Sequence, residues 1–142
     1  MRKEIIRENI TNLPFSLHDA RVTKIYANDD KVILEFEEGY YYLKEGEVER
    51  TAKAYVELND VDYDFSHVYI LNFCGNEGPF TGEKLPLKSF PSILKGIEFE
   101  IIDETYGYNK SKFSGWLFSE DGFKECNVEV YHLGDMKYVL EY

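Results

Sequence analysis

The chain predicts an all-β fold: a single-domain antiparallel β-sandwich or partly open barrel of about nine strands, spanning residues 1–142, with at most short helical turns. Three observations lead there. From Ala20 to Tyr142 apolar and polar residues alternate at period two, the mark of extended backbone with one buried and one solvated face. Twelve Tyr and ten Phe thicken that alternation, and aromatic side chains suit a pleated, half-buried surface. Clusters of Gly, Asn and Asp interrupt the pattern at short intervals, too often for long helices.

Taken in order, residues 4–14 read as a short helix or an extended arm, since Ile5, Ile6 and Ile10 fit one helical face and Pro14 stops it. Arg21 to Ala27 is the first strand, and Asn28-Asp29-Asp30 is a hairpin turn into Lys31 to Glu37. In that second strand Val32, Leu34 and Phe36 share one face, and Ile33, Glu35 and Glu37 the other. Glu38-Gly39 turns the chain into Tyr40 to Leu43, and Lys44 to Glu47 is a loop. Thr51 to Leu58 follows, with Ala52, Ala54, Val56 and Leu58 on one side and Lys53, Tyr55 and Glu57 on the other. Asn59 to Asp64 breaks it, and His67 to Phe73 is extended again. Gly75 to Gly82 is a loop, and Pro91 to Lys95 is a helical turn with Pro near its start and Gly96 beyond its end. Four strands close the chain: Ile97 to Thr105, Lys112 to Ser119, Cys126 to Leu133 and Met136 to Glu141. Gly107 and Asp121-Gly122 separate them, and Gly134-Asp135 is a two-residue turn suited to a tight hairpin.

Composition narrows the function classes. The 142 residues suffice for a core without disulfides or a structural metal. The formal net charge is −11 and is spread along both halves, so the folded body projects a negative field. Such a field opposes nucleic acid and anionic membrane surfaces, and steers a basic protein partner inward. No apolar run reaches the length of a membrane span or of a signal peptide's core, which predicts a cytoplasmic protein. Cys74 and Cys126 form no metal-ligand series and read as reduced thiols, with an inter-strand disulfide as the alternative.

Catalytic and metal signatures fail on their own requirements. His18-Asp19 looks like the doublet of metal phosphohydrolases, but that chemistry needs further His and Asp ligands on helices, and only His67 and His132 remain here. The local alternative is that the His18 or Asp19 side chain bonds exposed backbone where the chain enters its first strand. Asp60, Asp62 and Asp64 start like a calcium loop, yet Phe65 and Leu71 stand where its Gly and Glu belong. No nucleophile elbow, phosphate loop or dinucleotide fingerprint occurs, so no cofactor, metal or enzymatic activity is expected.

The aromatics are the candidate binding residues. Tyr40, Tyr41 and Tyr42 lie on one strand, so Tyr41 faces opposite to its neighbours; Tyr55 and Trp116 add amphipathic rings. They fit either a protein interface or a small-ligand or carbohydrate platform, and ordinary cross-strand packing is the alternative for each ring. Open sheet edges also make self-association available.

Leu17-His18-Asp19-Ala20-Arg21-Val22 resembles a short N-terminal motif of small bacterial immunity-type proteins. There an aromatic residue, then His-Asp-Ala and a β-branched residue, introduces an all-β meander. Leu17 replaces the aromatic here, with Phe15 close by, and the likeness covers these six residues plus the strand-turn-strand to Phe36. It implies a protein that binds and neutralises a secreted toxin, and it implies no catalytic residues.

Overall fold

The computed structural model describes residues 1–72, 81–120 and 122–141. In them the period-two alternation becomes fourteen antiparallel strands. A five-stranded sheet runs β1 (Arg2–Ile6), β14 (Met136–Glu141), β8 (Ala54–Leu58), β5 (Lys31–Phe36), β4 (Lys24–Asn28). A six-stranded sheet runs β10 (Thr81–Pro86), β9 (His67–Asn72), β13 (Gly122–Tyr131), β12 (Lys110–Ser119), β11 (Glu98–Gly107), β3 (Arg21–Val22). A small third sheet joins β2 (Phe15–Ser16), β6 (Tyr41–Lys44) and β7 (Glu47–Arg50). Helical structure is confined to single turns at Tyr63–Phe65 and Leu87–Ser89 and to α1 (Phe90–Ile93). No helix among the described residues is long and apolar enough to cross a membrane.

The two large sheets bury their apolar faces in one shared cluster. Val32, Leu34 and Phe36 of β5 and Ala54, Val56 and Leu58 of β8 supply one side. Phe99 and Ile101 of β11, Phe113 and Leu117 of β12, and Val128 and Val130 of β13 supply the other. Each of the Val, Leu, Ile and Phe side chains contributes roughly 1.5–3 kcal/mol on leaving water, which is what holds the layers together. Phe15 closes the cluster by packing on Tyr40 and Tyr138 at ring separations of 5.6 and 4.7 Å.

The chain changes sheet at places the alternation does not mark. Arg21 to Ala27 is not one strand: it divides at Thr23 into β3 and β4, which belong to different sheets, and Thr23 N–H donates to the Glu35 carbonyl at 2.8 Å at the crossing. Gly134-Asp135 is likewise not a hairpin turn, because β13 and β14 lie in different sheets. The segment between them is a corner whose backbone bonds sideways, Leu133 N–H to Asp60 and Gly134 N–H to Asn59. Residues 2–6 form an edge strand on β14 rather than a helix, with Ile5 turned to the core. Ala52 is exposed, since β8 begins only at Ala54. Glu45-Gly46 is a tight turn between β6 and β7, where Gly46 has φ +80°. Gly82 lies inside β10; residues 75–80, Cys74 and Asp121 fall outside the described residues. Cys126 is a free thiol in the core, pushed up to about 12 by burial.

The motif around His18 locks onto an irregularity in β11. Between Ile101 and Asp103 the register against β12 shifts, so Ile102 bulges out of the ladder. The turn at residues 17–20 docks there: Asp19 N–H donates to Ile101 O at 2.8 Å, and Ile101 N–H donates to Ala20 O at 2.9 Å. His18 Nδ1 donates to the bulged carbonyl of Ile102 at 2.6 Å. Asp19 takes φ +63°, which short polar side chains tolerate best after Gly, and Ala20 is sealed beneath. On the facing strand Gly115 has no room for a side chain, because a Cβ there would lie 1.8 Å from the Glu100 carbonyl oxygen. Gly115→Ala is therefore expected to cost about 3 kcal/mol, the upper range for overpacking against backbone. Urea unfolding of the variant checks this, and a loss below about 0.5 kcal/mol, no more than an ordinary surface substitution, contradicts the close approach.

Candidate functional site

Turning Val32, Leu34 and Phe36 inward on β5, and Ala54, Val56 and Leu58 inward on β8, sends Ile33, Glu35, Tyr55 and Glu57 to the outward face. The register places Ile33 opposite Glu57 and Glu35 opposite Tyr55, with Tyr26 of β4 beside Ile33 and Val139 of β14 beside Tyr55. With Arg2, Asn28 and Glu141 these side chains line a groove of about 400 Å³. Its floor is unusual for an outward face: Val139 is 2% exposed, Glu57 4% and Glu35 5%. Acidic side chains are almost never buried to this degree without partners.

The partners are cations at the rim. Lys31 Nζ sits 2.5 Å from Glu57 Oε1, and Arg2 Nη2 lies 3.7 Å from Glu57 Oε2. Lys53 Nζ is 3.7 Å from Glu35 Oε1 and 3.5 Å from Glu37 Oε2. The hydrogen bond and charge of Glu57 raise the Lys31 pKa, and the charges of Glu35 and Glu37 raise that of Lys53. Tyr26 OH reaches Glu35 Oε1 at 3.4 Å. Burial, then a hydrogen bond to Glu141, pushes the Tyr55 hydroxyl up. Glu57 Oε2 is buried and accepts no hydrogen bond. The groove thus presents ionised acceptors, aromatic rings and an apolar patch to whatever enters it.

Of the aromatic residues singled out from the sequence, only Tyr55 is in the groove. Tyr40 is fully buried and spends its hydroxyl on the Tyr55 carbonyl at 2.8 Å. Tyr42 packs inward on Phe15 at 5.2 Å, whereas Tyr41 faces the other way and meets the Arg50 guanidinium at 5.2 Å. Trp116 is on the outward face of the six-stranded sheet, edge-on to Phe123 at 5.2 Å. Glu35, Glu57 and Tyr26 were not singled out. Their signal was present as acidic residues alternating with Ile33 and Tyr55 on outward faces, but their convergence depends on strand order.

The histidines do not converge. His18 Nε2 is 3.4 Å from Asp19 Oδ2 in the exposed turn. His132 lies at the corner after β13, where Nδ1 donates to the Gly134 carbonyl at 2.9 Å, so the neutral ring accepts the Ser111 hydroxyl at Nε2 over 2.7 Å. Ser111 is fully buried, and the pair ties β12 to the corner. Among the described residues no group of three or more His, Cys, Asp or Glu is placed to hold a metal ion. No family model, no curated protein and no solved structure matches the chain.

The two histidines make stability depend on pH in opposite senses. The bond to Ile102 raises the His18 pKa, desolvation opposes it, and the charge of Asp19 adds to the rise. Its contribution is full below the ordinary imidazole value of 6.5 and fades as pH rises through the raised value. Burial lowers the His132 pKa, with Arg7 adding to it and the Gly134 bond opposing. Its contribution is full above 6.5 and fades as pH falls. Urea midpoints measured across roughly pH 5 to 8 are expected to peak near 6.5. His132→Gln flattens the acid limb and His18→Gln the alkaline limb, and a wild-type profile without curvature contradicts both assignments.

Proposed function

We propose that the chain is a cytoplasmic protein-interaction module, immunity-like in kind, that binds a basic protein partner in the groove of the five-stranded sheet. The observation that supports it most is the pair of nearly buried carboxylates, Glu35 and Glu57, on a sheet face that carries no further layer among the described residues. Holding two charges out of water costs stability that the core does not need, and a basic side chain arriving from outside recovers part of it. The net charge of −11 adds long-range steering toward such a partner. The resemblance at residues 17–22 supplies the partner class, a secreted toxin.

A second reading has its own observation. Tyr26 and Tyr55 line the same concavity as carboxylate acceptors and lysine donors, an arrangement that also suits a sugar ring. Salt separates the two, because attraction between exposed charges is screened whereas stacking on a neutral sugar is not.

Captured from source-cell extract at low salt, the partner is expected to be a protein of pI above about 9, released as salt rises past about 0.3 M. The Glu35→Gln/Glu57→Gln variant is expected to lose it. A bait that retains no basic protein, or whose variant retains the same one equally, overturns the proposal; salt-independent binding of a neutral oligosaccharide replaces it with the second reading.

A further inference from the structure

We infer that the groove receives the guanidinium of an arginine side chain, in preference to a lysine ammonium, with Glu57 Oε2 as its first acceptor. This rests on the basic-partner reading and narrows it to one chemical group.

Glu57 is a carboxylate with one oxygen employed and one idle. Lys31 holds Oε1, while Oε2 is buried and accepts no hydrogen bond. Arg2 Nη2 stands 3.7 Å from Oε2, too far to donate, and gives its hydrogen bond to Glu4 Oε1 at 3.1 Å. A buried anionic oxygen without a donor bears its desolvation penalty in full, so the groove favours any ligand that brings an N–H to that point. Glu35 offers a second acceptor diagonally across the strand pair. Its contacts to Tyr26 and Lys53, at 3.4 and 3.7 Å, are long ones that a better donor displaces.

The neighbours decide which cation fits. Arg2, Lys31 and Lys53 already stand at the groove's carboxylates and repel any further cation, so the entrant that recovers most by stacking and by forked hydrogen bonds is favoured. A guanidinium spreads its charge over a plane, holds its water weakly and stacks on aromatic rings, and Tyr26 and Tyr55 line the groove. Its forked donors can reach two carboxylate oxygens at once, which a single ammonium does less well. The volume of about 400 Å³ accommodates one long side chain with its remaining water, not a folded surface. The partner's contribution is therefore a protruding arginine.

The test uses the full chain and two probes of equal charge, hexa-arginine and hexa-lysine, titrated calorimetrically at low salt and followed by amide chemical shifts. Hexa-arginine is expected to bind at least about tenfold more tightly. Its shifts are expected to concentrate at Ile33, Glu35, Tyr55, Glu57 and Val139. Glu57→Gln and, separately, Tyr55→Ala are expected to erase most of the difference between the probes. The wild-type shift map stands even where a variant folds poorly. Equal affinities with shifts scattered over the surface overturn this inference and leave the basic-partner reading intact. Failure of both peptides to bind at low salt removes the two together.

Discussion

The register of β5 against β8 decides both what holds this molecule together and what it can present to solvent. Val32 lies opposite Leu58, Leu34 opposite Val56 and Phe36 opposite Ala54, and all six side chains enter the core. The residues between them have no freedom left: Ile33 meets Glu57 and Glu35 meets Tyr55 on the other face. A slip of one residue on either strand drives ionised carboxylates into the apolar cluster and exposes its Val and Leu residues, so the hydrophobic effect polices the geometry of the groove. The core and the candidate site are two faces of one pairing. The site is accordingly placed on rigid strands, not on loops, which suits the positioning of fixed acceptors.

That coupling has an energetic signature. Apolar side chains in place of Glu57 and Lys31 satisfy the sheet as well as the ion pair does, because a desolvated pair recovers in Coulomb energy roughly what it loses in hydration. Stability alone therefore does not account for two carboxylates at 4% and 5% exposure on an outward face. Several other polar side chains in the interior are fully matched. Ser66 donates to Asp62 O and accepts from Tyr131 N–H, and Ser111 is matched to His132. Glu104 accepts from the Leu17 amide and the Tyr106 hydroxyl, both at 2.7 Å. Three buried side-chain atoms among the described residues stay without a hydrogen bond, Arg7 Nε, Tyr138 OH and Glu57 Oε2, and of these only Glu57 Oε2 belongs to a residue lining the groove of the five-stranded sheet.

The extended character of the chain was legible in the sequence, because alternation is a local property that each strand carries by itself. The Asp29-Asp30 turn, the start of β14 at Met136 and the helical turn around Pro91 were legible for the same reason. What was not legible depends on partners distant in sequence. Thr23 and Gly134 look like any strand interior or hairpin turn, and only the location of the receiving sheet makes them crossings. Residues 2–6 fit a helix face equally well until β14 offers them an edge. Where each aromatic ring ends up depends on packing that the sequence does not carry: Tyr40 lies in the core, Tyr42 packs on Phe15, Tyr41 meets Arg50, and Trp116 lies on the other large sheet. Tyr55 remained, and the carboxylates beside it became a site only when β4, β5, β8 and β14 were placed in order.

The residues of the His18-Asp19-Ala20 turn are occupied with scaffolding. His18 donates to the carbonyl of Ile102 at the β11 bulge, Asp19 takes a left-handed backbone conformation, and Ala20 is fully buried. Leu17 sends its amide to Glu104 and its side chain into the core. None of these side chains lines the groove on the five-stranded sheet. Here the turn starts the first strands against a bulged strand and constrains the fold through backbone satisfaction. The outward faces of β5 and β8 are under no such constraint, since any residue that tolerates solvent or a neighbour serves there. The turn therefore fixes the backbone, while the chemistry of the outward face is set separately by Glu35, Tyr55 and Glu57.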